Sequence, residues 1–237
     1  MKLIRNPDHG ARIDATETAY PSDLMVVTKG HEVADPLRTT YGYLLDGRAA
    51  VHAAGASHEL ATGSFFCCPG RFTVTDVRPG SRVVLITRYG FRGMECFGRI
   101  EQRGRLSYID GCSDSMLVYP PRLGDPVFNH LHFPPGIVQT QHTHPTIRLG
   151  IVARGIGHAF GPVQLGRAEQ WEEELSPSAV FMLEPQEMHS FRTDRTKTRE
   201  TMDVIAYHPD SDWGPTDTAH PMRNRTYIGA NPFNTGG

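Results

Sequence analysis

The chain has 237 residues, with 24 Lys and Arg against 26 Asp and Glu and a formal net charge of -2. Without a basic excess, neither nucleic acid nor an anionic membrane surface is expected as a partner. No apolar run approaches the roughly 18–20 residues of a membrane helix. Met1–Pro7 lacks the apolar stretch of an export signal, so a cytoplasmic protein is expected.

Gly 24 and Pro 18 together exceed a sixth of the chain, which suits a many-turned β protein better than a helical one. In chain order, residues Thr39–Val51 read as strand, turn, strand, with Asp46-Gly47 as a hairpin signal. Ser64–Cys68 is a short apolar strand stopped by Pro69-Gly70. Phe72–Val77 alternates, and Val83–Thr87 follows a Pro79-Gly80 turn. Residues 90–126 read as a glycine-punctuated connector with candidate strands at Leu106–Asp110 and Met116–Tyr119. Strand pattern returns at Val127–Phe133, Thr146–Ala153, Ala179–Leu183, His189–Arg192 and Met202–Tyr207. Gly155 marks another expected hairpin turn, and the charged Arg167–Glu174 reads as a solvated hairpin loop. From His208 onward the composition predicts an irregular tail.

The two halves carry similar punctuation. Gly47, Pro69 and the Val83 strand stand in the same order as Gly155, Pro185 and the Met202 strand. This weak repetition suggests two copies of one small β fold.

Cys67, Cys68, Cys96 and Cys112 make no zinc spacing and are expected as reduced thiols. Histidine is the unusual residue: there are 12, four of them between His130 and His144. On a strand, His142 and His144 share a face because side chains alternate. Two imidazoles on one face can hold a metal ion, with a third, His189, supplied by another strand. Three neutral imidazoles leave coordination positions open, as a catalytic site requires. The alternative is a surface hydrogen-bonding pair.

Gly136, His142, His144, position 148 and Gly155 match the spacing of the first cupin motif, G(x)5HxH(x)3,4E(x)6G, throughout. Pro185 and His189 match the second motif loosely, with Gln186 at its glycine. The segment therefore resembles the cupin superfamily. The resemblance implies an all-β fold of two tandem antiparallel jelly-roll barrels, with the metal motif only in the second. The expected boundaries are 1–90 for a degenerate barrel, 91–126 for the connector, 127–208 for the metal-binding barrel and 209–237 for the tail. A homodimer is a further expectation.

Arg148 replaces the motif glutamate, and a cation cannot ligate a metal. The ligand set is then His142, His144 and His189, which resembles that of cupin dioxygenases. Fe(II) is the preferred metal by that resemblance, and Zn, Ni, Mn or Cu also suits imidazole. If the strand is regular, Arg148 points inward, either to clamp a substrate carboxylate or to pair with Glu184, Glu187 or Asp203. An outward tilt after a bulge is the third possibility. His158 is a candidate catalytic acid or base, or else a half-buried histidine donating to a backbone carbonyl. His130 and His132 form a second HxH, facing either the same interior or the outer face of the barrel against the other half.

The expected function is that of a metal-dependent enzyme, an iron dioxygenase acting on a small anionic substrate. The alternatives are a redox-neutral isomerase, lyase or cyclase, and a non-catalytic small-molecule-binding protein. Phosphate-loop, GxGxxG, HExxH and GxSxG patterns are absent.

Overall fold

The computed structural model describes residues 1–161, 170–195 and 201–210. The described chain is all-β with antiparallel pairing throughout, apart from one 3-10 turn at Ile109–Gly111. The first half contains β1 (Lys2–Ile4), β2 (Arg12–Ala15), β3 (Ser22–Val27), β4 (His31–Val33), β5 (Arg38–Asp46), β6 (Arg48–Ala53), β7 (Ala56–Ala61), β8 (Ser64–Pro69), β9 (Phe72–Thr75) and β10 (Arg82–Tyr89). Then come β11 (Cys96–Arg99), β12 (Leu106–Ser107), β13 (Ser113–Val118), β14 (Val127–Phe133), β15 (Arg148–Arg154), β16 (Gly157–Gly161), β17 (Trp171–Leu175), β18 (Val180–Leu183), β19 (Ser190–Arg192) and β20 (Met202–His208).

Four sheets result. One large sheet has the order β11-β8-β5-β10-β3-β2 and the other β1-β18-β15-β20-β14-β13-β12. The small sheets are β4-β9-β6-β7 and β17-β16-β19. β1 joins the sheet of the second half, pairing Leu3 with Phe181.

Alternation explains how the layers stack. Along β15, Leu149 and Ile151 point to one face and Gly150 and Val152 to the other. Leu149 and Ile151 join Tyr41, Val84, Phe128 and Tyr207 in a cluster that packs the two large sheets face to face. Tyr41 lies 5.2 Å from Tyr207 and 5.8 Å from Phe128 between ring centroids. The opposite face of the second large sheet supplies Leu131, Phe133, Val152, Phe181, Leu183 and Val204 to another cluster, completed by Ala159, Leu175 and Phe191 of the small sheet. A third cluster fills the corresponding space in the first half, around Leu44, Val51, Phe66 and Val83.

Close approaches repeat as well. A Cβ on Gly42 would meet the Phe66 ring at 2.0 Å, and one on Gly150 would meet the Phe181 ring at 2.1 Å. In each case the glycine sits opposite that phenylalanine in register.

The two expected hairpins are corners instead. β5 and β6 flank Gly47 but belong to different sheets, and so do β15 and β16 around Gly155. Both glycines have positive φ, 84° and 69°, which turns the chain from one layer to the next. Trp171–Leu175, read from its charge as loop, is a strand whose Glu172 and Glu174 face solvent while Leu175 is buried. The rest of the expected charged loop and the tail beyond Asp210 lie largely outside the described residues. Among the described residues, no helix is long and apolar enough to cross a membrane.

Candidate metal centre

His142 and His189 sit outside the regular strands. They are joined by an isolated antiparallel bridge in which each backbone N–H donates to the other's carbonyl at 3.0 Å. His144 follows two residues later, and its carbonyl accepts from the Gln186 N–H at 2.7 Å. The regular strand begins only at Arg148 rather than at Thr146. A bridge and a turn therefore bring the three imidazoles to one wall.

One ring nitrogen from each of His142, His144 and His189 falls within 4.8 Å of the others, and all three residues are buried. Ring centroids are separated by 5.1 Å (His142–His144), 4.5 Å (His142–His189) and 5.2 Å (His144–His189). Two tautomers are fixed locally. His142 Nδ1 donates to the Thr140 carbonyl at 2.9 Å and His189 Nδ1 to the Glu187 carbonyl at 2.8 Å. In the neutral ring Nε2 then carries the lone pair, the form a metal ligand needs. Burial holds the His144 and His189 rings well below the ordinary histidine pKa. The Arg148 charge adds to the effect at His144, and His142 adds to it at His189. Neutral, preoriented imidazoles of this kind fit a divalent transition metal.

The cavity beside them is lined by Tyr108, Leu131, Gln139, Arg148, Phe181, Leu183, Phe191 and His208, among others. Its volume is about 20 Å³, the room of one ion or water. Arg148 is buried and reaches this cavity, so the outward tilt does not occur. Its NH1 donates to Thr146 Oγ1 and to the Ile147 carbonyl, both at 2.7 Å. It also lies 3.9 Å from Asp210 Oδ1, and among the described residues none of Glu184, Glu187 and Asp203 pairs with it.

His158 is not brought to the cavity. Ala159 next to it points into the core, so alternation sends His158 to the other face of β16, across from Glu174 and Arg192. His130 and His132 take the outer alternative, on the face of β14 opposite Leu131 and Phe133.

Three cavity residues escaped the sequence reading. His208 stands at the end of β20, with its ring 5.9 Å from that of His144. Tyr108 and Gln139 come from loops. Gln139 carried no signal, since strand alternation sends a residue three positions before His142 to the opposite face.

No family model and no curated protein matches the chain. Solved structures do match in fold. A cupin 2 conserved barrel domain protein from Leptotrichia buccalis superposes with a TM-score of 0.61 at 14% identity, covering 87% of this chain and 95% of that one. Oxalate decarboxylase from Bacillus subtilis, in a study of its Mn(II) centres, gives 0.56 at 12% identity, covering 88% and 75%. Salicylate 1,2-dioxygenase from Pseudoaminobacter salicylatoxidans gives 0.58 at 8% identity, covering 79% and 69%. The chain thus has a cupin-like fold, and at these identities the likeness is one of architecture.

Proposed function

We propose that the protein is a metal-dependent enzyme of bicupin architecture, an iron(II) dioxygenase acting on a small carboxylate. The observation that carries this reading is the convergence of three buried imidazoles, two of them held neutral by burial, on one wall that also holds Arg148. The tandem-barrel part is supported by the matching strand orders of the two large sheets and by the two separate core clusters. On this reading the metal-binding barrel is built chiefly from residues 127–208, the first half closes its back, and a homodimer is the assembled form. Its four free cysteines suit the reducing cytoplasm.

Iron(II) held by His142, His144 and His189 would supply one-electron chemistry with dioxygen. The chain's own contribution is positional. The Thr140 and Glu187 carbonyls lock two ligand rings. Arg148, anchored through NH1 to Thr146 and Ile147, presents its guanidinium to a substrate carboxylate. Asp210, 3.9 Å from Arg148 NH1, is the carboxylate a substrate would displace, and with a cavity of about 20 Å³ a substrate enters only as Asp210 and its neighbours move aside. Phe181, Leu183 and Phe191 form an apolar wall that excludes water. Two fold neighbours, named for oxalate and salicylate, act on carboxylates, which fits this assignment.

The test is oxygen uptake by the Fe(II)-loaded protein against a panel of aromatic and aliphatic carboxylates. Uptake that is lost in His142→Ala/His144→Ala supports the reading. Carboxylate turnover without oxygen uptake replaces it with redox-neutral Lewis-acid chemistry.

A further inference from the structure

His130 and His132 occupy the outer face of β14, where Phe128 of the same face enters the cluster between the large sheets. On the neighbouring strand β20, Val204 and Ala206 point inward, so Asp203 shares the outer face. Register places Asp203 directly opposite His132. The result is a second buried group: Asp203 is 1% exposed, His130 0% and His132 7%.

The geometry is convergent. His130 Nε2 lies 2.7 Å and His132 Nδ1 2.9 Å from the same oxygen, Asp203 Oδ1. All three atoms fall within 4.8 Å of one another. The other oxygen, Oδ2, accepts from Arg154 Nε at 2.9 Å. Burial alone would raise the Asp203 carboxyl, but the two histidine hydrogen bonds and the Arg154 charge hold it below the usual range. As a carboxylate it only accepts, so each imidazole must donate its N–H to Oδ1.

We propose that His130, His132 and Asp203 form a second divalent transition-metal site, on the outside of the sheet and separate from the three-histidine centre. Two imidazoles and one carboxylate are a donor set suited to Zn(II), Fe(II), Mn(II) or Co(II). Metal–ligand bonds of about 2.1 Å at right angles place neighbouring donors about 3.0 Å apart, close to the two spacings observed. An ion would take the place of the two protons now shared with Oδ1, each imidazole then carrying its proton on its other ring nitrogen. Arg154 is the outer partner that orients the carboxylate, as ligating carboxylates generally require. Its NH2 also donates to the Glu101 and Gln102 carbonyls, which ties the segment above the site to the ligand. An entry path exists, because His132 lines a cleft of about 780 Å³ together with Glu101, Arg103, Ser107 and Ser113.

The proposal stands apart from the interior centre, and one titration separates them. Purified, metal-free protein is titrated with Zn(II) alone, and stoichiometry and thermal stability are read. Wild type is expected to bind two ions per chain. His142→Ala/His144→Ala should retain one, with Zn(II) still raising its Tm. Adding His132→Ala to that variant should abolish both the remaining ion and the Tm rise. Asp203→Asn and His130→Ala in the same background give independent repeats, with circular dichroism checking that each folds. A His142→Ala/His144→Ala protein that binds no Zn(II), or whose residual ion survives His132→Ala and Asp203→Asn, overturns the proposal. Loss of one ion by His132→Ala alone, with none lost by His142→Ala/His144→Ala, upholds this site and removes the interior one.

Discussion

His142 and His189 exchange both of their backbone hydrogen bonds, at 3.0 Å each way, although they lie far apart in the sequence. The bridge fixes the two imidazoles through the main chain and needs neither ring. His189→Ala should therefore keep the bridge and the fold, with stability falling by about 1–3 kcal/mol. Metal affinity should fall by at least about 100-fold, since ligand-orienting contacts alone are worth about 10–100-fold. Calorimetric metal titration beside a thermal melt checks both. Unfolding of the variant at room temperature would show that the ring, and not the bridge, holds the turn.

Arg148 has two tasks that substitutions can separate. It satisfies the Ile147 carbonyl and the Thr146 side chain, and it offers a charge to the cavity. Arg148→Lys keeps the charge and loses the planar fork. It should raise the KM for a carboxylate substrate by about 10- to 100-fold, corresponding to about 1.5–3 kcal/mol for a charged hydrogen bond. Arg148→Met should lose the same affinity and additionally lower the Tm, because buried acceptors go unsatisfied. An unchanged KM in both variants would remove Arg148 from substrate binding.

What could be read in advance followed from local rules. Val127–Phe133 was legible to the residue because Pro134-Pro135 stops it, and the three-histidine cluster was legible because its spacing is local to two motifs. The corners at Gly47 and Gly155 were not, since turn chemistry states that the chain bends but not which sheet receives it. Arg167–Glu174 looked like loop because three consecutive glutamates hide the alternation: Glu172 and Glu174 face solvent, while Glu173, on the side of Leu175, pairs with Arg5. His208 was hidden for another reason: it closes a strand far from either motif, and only the β14–β20 and β15–β20 pairing carries it to the cavity.

Gln186 occupies a left-handed conformation, φ 59°, at the position where the cupin motif has glycine. Its N–H reaches the His144 carbonyl at 2.7 Å, so the strained turn positions His144. Left-handed backbone costs a non-glycine residue about 1–2 kcal/mol, whereas glycine is free to adopt it. Gln186→Gly should thus leave stability equal or up to about 1 kcal/mol higher, after its greater unfolded-state entropy is counted. Gln186→Val, branched at Cβ, should lose about 1–2 kcal/mol and loosen metal binding with it. Equal denaturation midpoints for the two variants would mean that the turn relaxes without strain.

Acid should unfold the metal-free protein through its buried histidines. His144 and His189 are held well below the ordinary value mainly by burial. An unfolded histidine titrates near pH 6.5. Above that pH both states are neutral at these rings and stability is intact. As pH falls below about 6.5, the unfolded chain takes up protons that the folded chain refuses, so stability is lost until the depressed folded pKa is reached. Each ring contributes up to about 1.4 kcal/mol per pH unit in that window. Urea midpoints should therefore fall between pH 7 and pH 5. The fall should be shallower in His144→Gln/His189→Gln, which keeps polar side chains of similar size without a titrating ring. Bound metal should steepen the dependence, because protons then compete for the same nitrogens. A wild-type midpoint that stays constant from pH 7 to pH 5 would mean that these imidazoles are open to solvent protons in the folded chain, and it would count against a preformed three-histidine wall.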